Sequence, residues 1–420
     1  MKEKNTSSSK PIISKIMNYI DLQLEKIKFG LDWPLFLSTL ALIIIGLVMV
    51  FSATTSIGVN GEVTDPVGHF QTQLISVTLG IIVGLAMFFI PRQVFRDFKT
   101  IMYGLVIILL FLIYVFFFGI EAGGAKSWMA IGSISFQPSE FLKLAIIFVV
   151  SWILVQTERI PNLTKDKYKS TDKNWLLGLL FVCLLLIIEQ SDFGMTIIVF
   201  ATGILMVSLS IWSIKWNLIG FIGVLVLIVS VSVFVQFFLG DAGDERFYIL
   251  NRFISYVDPF KYADSFGFQL IQGYQAIVNG GLFGRGLGQS LMKHDGRLPA
   301  AENDFILAIL IEEFGIVGGI TVLSLFFFII FRLIWWSTNS TDSYRSKVLL
   351  GIGILLFIQV CVNVGGMLGL IPLSGVTLPF ISEGGSSMLM YMMTLSIALR
   401  AIIEEKNHQK FLLEEVEHDV

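Results

Sequence analysis

The chain has 420 residues, 55% of them apolar and 15% charged, with a formal net charge of -3 and a mean hydropathy of +0.79. Soluble domains carry about 45–50% apolar and 25% charged residues, so water is excluded as the main solvent. The two cysteines, Cys183 and Cys361, both fall inside apolar runs, which excludes a disulfide framework or a cysteine-based metal site; nor is a nucleic-acid partner expected.

Residues 1–32 form a cytoplasmic N-terminal segment, too long and too charged for the n-region of a cleaved signal peptide. Within it Ile12, Ile13, Ile16, Met17, Ile20, Leu24 and Ile27 recur at helical spacing beside Lys15, Glu25, Lys26 and Lys28. The segment is either an amphipathic helix lying along the inner leaflet or a disordered tail. Apolar runs then fall near 35–53, 73–90, 101–118, 139–156, 175–189, 194–211, 217–239, 304–333, 347–366 and 386–402. A bilayer core about 30 Å thick takes roughly 20 such residues per helix. The expected fold is therefore all-α: a polytopic membrane domain over 33–403 with about ten transmembrane helices, then an acidic cytoplasmic tail over 404–420.

Sorting Lys and Arg by alternate loops gives 21 on one side and 7 on the other. The basic side is cytoplasmic, which places both termini inside and the long 240–303 loop outside. Seven of the eight tryptophans, all but Trp128, lie near the inner ends, as indole rings at a headgroup layer do. No internal repeat is evident, which weakens an inverted-repeat transporter architecture.

Six of the seven outer basic residues, Arg246, Arg252, Lys261, Arg285, Lys293 and Arg297, crowd into 240–303 with several carboxylates. They are either a solvated loop with mutual ion pairs or a site for an anionic ligand such as a diphosphate. Gln269, Gln272 and Gln275 share one face of a half-apolar helix able to rest on lipid. Gly280, Gly281, Gly284, Gly286 and Gly288 follow, permitting a tight turn or close backbone approach. Asp304 enters the next apolar run: it is a helix N-cap, or a general base acting on a lipid-borne substrate, or both. Glu312 and Glu313 lie deeper in that run, where ionisable groups point to function or to buried hydrogen bonds.

Lys126, Trp128, Gln137, Glu140 and Lys143 form a second cluster, with Ser139 placed to cap a helix and Glu140 and Lys143 spaced to neutralise each other. Asp192 is a turn residue or another outer carboxylate. Asn363 and the 369–387 segment, including Ser386, read as a re-entrant stretch that must be buried in protein or line a cavity.

These clusters, carried by GGAKSWMAIGSISFQPSE, LPAAENDFILAILIEEFG and GLIPLSGVTLPFISEGGSS in this order over residues 33–403, resemble the SEDS family of peptidoglycan polymerases. The segment NGGLFGRGLGQS is more similar to the division branch, FtsW, than to the elongation branch, RodA. Departures are Ala300, Ala301, Glu302 and Asn303 where the family pattern reads Glu-x-His-Thr, Ser191 and Phe193 around Asp192 where it reads Pro and Leu, and Glu383 where Tyr is common. The resemblance implies a bacterial plasma-membrane enzyme of the septum that polymerises lipid II, with Asp304 as its essential carboxylate. It further implies substrate contacts from Lys126, Trp128, Glu140, Lys143, Asp192, Arg246, Arg252, Gln275, Asn363 and Ser386, and a divalent cation (Mg or Mn) as an added source of positive charge. The partners it implies are a class B penicillin-binding transpeptidase, other division proteins and membrane lipid. A lipid-linked precursor flippase and a non-catalytic division scaffold are the rival classes.

Overall fold

The computed structural model describes residues 30–55, 65–122, 125–131, 134–158, 170–213, 258–263, 267–293, 297–299 and 301–418, with isolated positions between 215 and 256. The expected amphipathic stretch before residue 30, Arg246, Arg252 and most of the 217–239 run lie outside the described residues. Among the described residues nine helices are long and apolar enough to cross a membrane: α1 (Trp33–Thr54), α2 (Pro66–Phe89), α4 (Phe98–Phe118), α5 (Ser139–Glu158), α6 (Ser170–Glu189), α7 (Phe193–Ile211), α9 (Ile306–Thr338), α10 (Ser343–Met367) and α11 (Gly385–His418). Two shorter helices are α3 (Arg92–Arg96) and α8 (Phe268–Gly280). The chain is a multi-pass α-helical membrane protein.

Several spans begin at an aspartate. Asp32, Asp65, Asp97, Asp192 and Asp342 each accept a hydrogen bond from the third residue beyond, at 2.9–3.2 Å. This cap satisfies an amide that the first helical turn leaves free, which matters most where hydrocarbon offers no alternative partner. α10 is the most enclosed span, while α4 and α6 turn most of their surface outward. Apolar side chains such as Leu110, Phe117 and Phe181 are accordingly exposed, as suits contact with lipid.

α11 lies along α2, and α10 is packed by α5, α7 and α9. The α2–α11 contact is close because Gly80 and Gly84 sit one turn apart on α2. A methyl at either position would come within 2.7 Å of Met392 or Ser396, so small residues here let two membrane helices approach.

Two features were not visible in the hydropathy pattern. The loop after α4 folds into a small antiparallel sheet, β1 (Ile120–Ala122), β2 (Ala125–Ile131) and β3 (Ile134–Phe136), in that order. And α9 is broken at Gly315, whose φ of 74° and ψ of -179° belong to a region almost confined to glycine. The freed backbone groups are paired with the glycine-rich turn after α8: Arg285 and Gly286 N–H donate to the carbonyls of Glu312 and Glu313, and Ile316 and Val317 N–H donate to those of Gly281 and Leu282, at 2.8–3.2 Å. The glycine run therefore serves close backbone docking. A Cβ at Gly315 would lie 2.1 Å from Leu282 O. Gly315→Ala is expected to cost about 4 kcal/mol, from backbone strain plus overpacking, read as a large fall in the thermal unfolding temperature in detergent.

Candidate functional site

Asp304 lies in the turn before α9 and is 7% exposed. It is not the helix cap: that position is Phe305, which makes no side-chain cap bond. What fixes it is the re-entrant segment between α10 and α11. Asn363 Nδ2 donates to Asp304 O at 3.0 Å and to Val376 O at 2.8 Å. Ser382 Oγ donates to Asn303 O at 2.5 Å and accepts from Leu378 N–H at 2.8 Å. Glu383 N–H donates to Glu302 O at 2.9 Å. The carboxylate is thus presented on backbone held at three successive residues, Asp304 by α10 and Asn303 and Glu302 by the re-entrant segment, the support that a reacting group needs to hold its geometry.

Four residues before Asn363 on α10, Gln359 donates to Thr377 O at 2.9 Å, so two amides one turn apart hold the same irregular loop. Gln359 also accepts from Lys143 Nζ at 3.2 Å. Lys143 pairs with Glu140 at 2.7 Å, both side chains almost fully buried, and its ammonium lies 5.2 Å from the Tyr391 ring centroid. Asp192 caps α7 and accepts from Gln137 Nε2 at 2.8 Å. Ser139 turns its hydroxyl toward Asp192 at 3.4 Å instead of capping α5, which begins at Ser139 itself. Burial pushes the Asp192 carboxyl above the usual carboxylate range, against the Met195 and Gln137 hydrogen bonds that favour its charge. Ser386 accepts from Gln137 N–H at 2.9 Å, and Ser387 lies 3.1 Å from Thr377 Oγ1.

Two polar clusters result, Glu140 with Lys143 and Gln359, and Asp192 with Gln137 and Ser386, while Asn363 joins the Asp304 backbone carbonyl to the loop that Gln359 also holds. Of the other described candidates, Lys126, Trp128 and Gln275 stand apart from these clusters. Lys126 is exposed and donates to the Phe116 and Phe117 carbonyls, at the negative end of the α4 dipole. Trp128 is half-buried on β2 opposite Ile120. Gln275 lies on the exposed face of α8, whereas Gln269 on the same helix donates to Pro299 O at 2.9 Å.

Glu312 and Glu313 take the hydrogen-bond role. Glu312 accepts from Asn279 and from Leu291 and Met292 N–H at 3.0–3.3 Å, and from the Ser290 hydroxyl. Glu313 accepts from Ser52 at 2.6 Å and pairs with Lys293 at 3.5 Å. Together they lock the turn after α8 onto the broken helix. Among the described residues no three His, Cys, Asp or Glu side chains group into a set that could hold a metal ion.

Sequence reasoning missed Gln73, His69 and the place of Glu383. Gln73 donates to Ser382 O at 3.1 Å, and His69 Nδ1 lies 2.8 Å from Glu383 Oε2. No local signal links positions more than 300 residues apart. Burial raises the Glu383 carboxyl above its ordinary 4.5, the His69 bond opposes this, and the Glu302 charge adds to it. The folded state then holds the proton more tightly than the unfolded chain, so stability falls as pH climbs from about 4.5 through the raised value. Glu383→Gln is expected to flatten that decline, measured as thermal unfolding against pH.

A family profile described as "Cell cycle protein", covering FtsW, RodA and SpoVE, matches residues 33–407. The chain belongs to this FtsW/RodA/SpoVE family. Relatives of family members include stage V sporulation protein E of Bacillus subtilis, 35% identical over 88% of this chain and 96% of that protein. The probable peptidoglycan glycosyltransferase FtsW of the same organism is 34% identical over 89% of this chain and 91% of its own length, and that of Lactococcus lactis is 32% identical over 92% and 96%. FtsW names among these relatives agree with the branch expected from the glycine-rich turn. In fold, the chain is similar to the crystal structure of Thermus thermophilus RodA, with a TM-score of 0.61, 22% identity and coverage of 90% and 98%. It is also similar to a chain of a peptidoglycan synthase complex solved to show how polymerization and crosslinking are coordinated, with a TM-score of 0.67, 23% identity and coverage of 90% and 99%.

Proposed function

We propose that this family member is a peptidoglycan glycosyltransferase that polymerises lipid II on the outer face of the plasma membrane, in septal wall synthesis. The observation that carries this is the nearly buried Asp304 just before α9, on backbone held by Asn363, Ser382 and Glu383. The FtsW relatives at 32–34% identity support the reaction class.

In the reaction, the Asp304 carboxylate takes the proton of the acceptor 4-hydroxyl. That oxygen forms a bond to the donor anomeric carbon from the face opposite the leaving group, and the bond to undecaprenyl diphosphate breaks with its electron pair on phosphate. The configuration inverts, as for glycosidases in which one carboxylate activates the incoming nucleophile. Countering the diphosphate charge falls to cations of the outer face; Arg246 and Arg252 are the candidates, and Lys126 is the exposed basic group among the described residues near the sheet. Lys143, locked onto Glu140 and Gln359, acts as a positioning residue for the loop that carries Asp304's supports. Among the described residues no His, Cys, Asp or Glu set fits the divalent cation (Mg or Mn), and no step is derived through one. A class B penicillin-binding transpeptidase is the proposed partner.

The test is to purify the chain alone and with such a transpeptidase, supply lipid II, and resolve products by size. Muramidase-sensitive glycan polymer is expected. Intact lipid II under every condition, with the chain folded, would contradict the assignment.

A further inference from the structure

The first two turns of α2 grip the re-entrant segment at three successive residues. His69 Nδ1 lies 2.8 Å from Glu383 Oε2. One turn further on, Gln73 Nε2 donates to Ser382 O at 3.1 Å, and Gln73 Oε1 accepts from Gly384 N–H at 3.3 Å. Side chains four apart share one face of a helix, so the two residues hold the segment together. Gln73 is buried, whereas the His69 side chain is 42% exposed and that of Glu383 is 17% exposed.

Two of the gripped residues in turn hold the turn before α9: Ser382 Oγ donates to Asn303 O at 2.5 Å, and Glu383 N–H donates to Glu302 O at 2.9 Å. A continuous chain of bonds thus runs from α2 through 382–384 to the two residues before Asp304. The backbone leading into it is tightly wound. Leu378 N–H donates to Ser382 Oγ at 2.8 Å and Ser382 N–H to Leu378 O at 3.0 Å. Between them Phe380 has a φ of 63°, a conformation that residues other than glycine seldom take. Such a residue stays in place only where its surroundings over-determine it. α1 supplies one wall, since a Cβ at Gly46 would lie 2.5 Å from Phe380 O, and His69 with Gln73 supplies the fastening from α2.

We propose that His69, with Gln73 behind it, is a positioning residue for polymerisation: through Glu383 it fixes the turn that presents Asp304. Loosening this grip slows proton removal from the acceptor and leaves substrate binding in place. The role rests on the polymerase activity proposed above. Its size follows from geometry, since a displacement of about 1 Å at a reacting group can cost on the order of 10²-fold in rate.

The test compares three variants of the full chain. His69→Leu removes the ring nitrogen, and His69→Asn puts an amide nitrogen close to where Nδ1 stands. Thr72→Ala, the control, loses only a bond to Gly68 O within α2. In His69→Leu, kcat on lipid II is expected to fall about 10–100-fold with KM within about twofold, the signature of an interaction that matters only in the transition state. The unfolding temperature should drop by no more than about 3 °C, as for one half-exposed hydrogen bond. His69→Asn should recover kcat to within about threefold of wild type, and Thr72→Ala should match wild type. Backbone hydrogen exchange over 301–305 should quicken about fivefold in His69→Leu, the effect of one such bond on local opening, and stay unchanged in Thr72→Ala. An unchanged kcat in His69→Leu, a loss carried by KM, an equal loss in His69→Asn or an equal loss in Thr72→Ala would overturn the positioning role. If wild type makes no polymer, the activity proposed above fails, and exchange over 301–305 still decides whether His69 holds that turn.

Discussion

Asp304→Asn is expected to lower glycan polymerisation by about 10²–10⁴-fold, the range that a general base contributes. Asparagine keeps the size of the side chain and leaves untouched the Asp304 carbonyl that Asn363 holds at 3.0 Å. The turn and α9 should therefore fold as before, with unfolding temperature and membrane insertion unchanged. A substitution that removes an interaction made only in the transition state lowers kcat and kcat/KM together, so KM for lipid II should move little. Asp304→Glu restores a carboxylate one methylene out of place and should fall between the two. Equal losses in Asn and Glu variants together with a lowered unfolding temperature would assign Asp304 a structural role instead.

The second large effect is expected at Lys143. Lys143→Met leaves Glu140 buried without its partner at 2.7 Å, and breaking a buried ion pair from one side costs about 3–5 kcal/mol. The same change removes the donor to Gln359, whose amide holds Thr377 O, so polymerisation should fall as well. The paired variant Glu140→Gln with Lys143→Met removes both charges, and stability should recover by at least about half. Activity should recover less, because Gln359 still lacks its lysine. Thermal unfolding and polymer yield on the four proteins of this cycle separate the two contributions.

The membrane fold was legible because each span carries its own signal: about 20 apolar residues, and a basic excess on alternate loops. Also legible was the position of Asp304, a carboxylate at the edge of an apolar run that the structure buries before α9, and of Asn363, which supports the re-entrant segment. Other parts carry no such signal. Gly315 is one glycine among several in its helix, Gly318 and Gly319 following without a break; the one hint was length, since 33 helical residues span about 50 Å. The pairing of Glu313 with Ser52 and Lys293, and of His69 with Glu383, joins segments 20 to 314 residues apart. Such contacts follow from how helices stack, which hydropathy does not specify. The N-cap role, one of the two readings open at Asp304, belongs to Asp192 and four other aspartates, because capping depends on where the first turn starts, and α9 starts two residues later.

A polymerase of this kind does chemistry on lipid II at the Asp304 site and does not carry it across the membrane. The most direct measurement places fluorescent lipid II in proteoliposomes containing the chain and its transpeptidase partner, and follows polymer formation and leaflet exchange in the same vesicles. Polymer in the wild-type vesicles, none with Asp304→Asn, and leaflet exchange no faster than in empty vesicles is the predicted result. Rapid leaflet exchange without polymer would contradict it and make the chain a transporter.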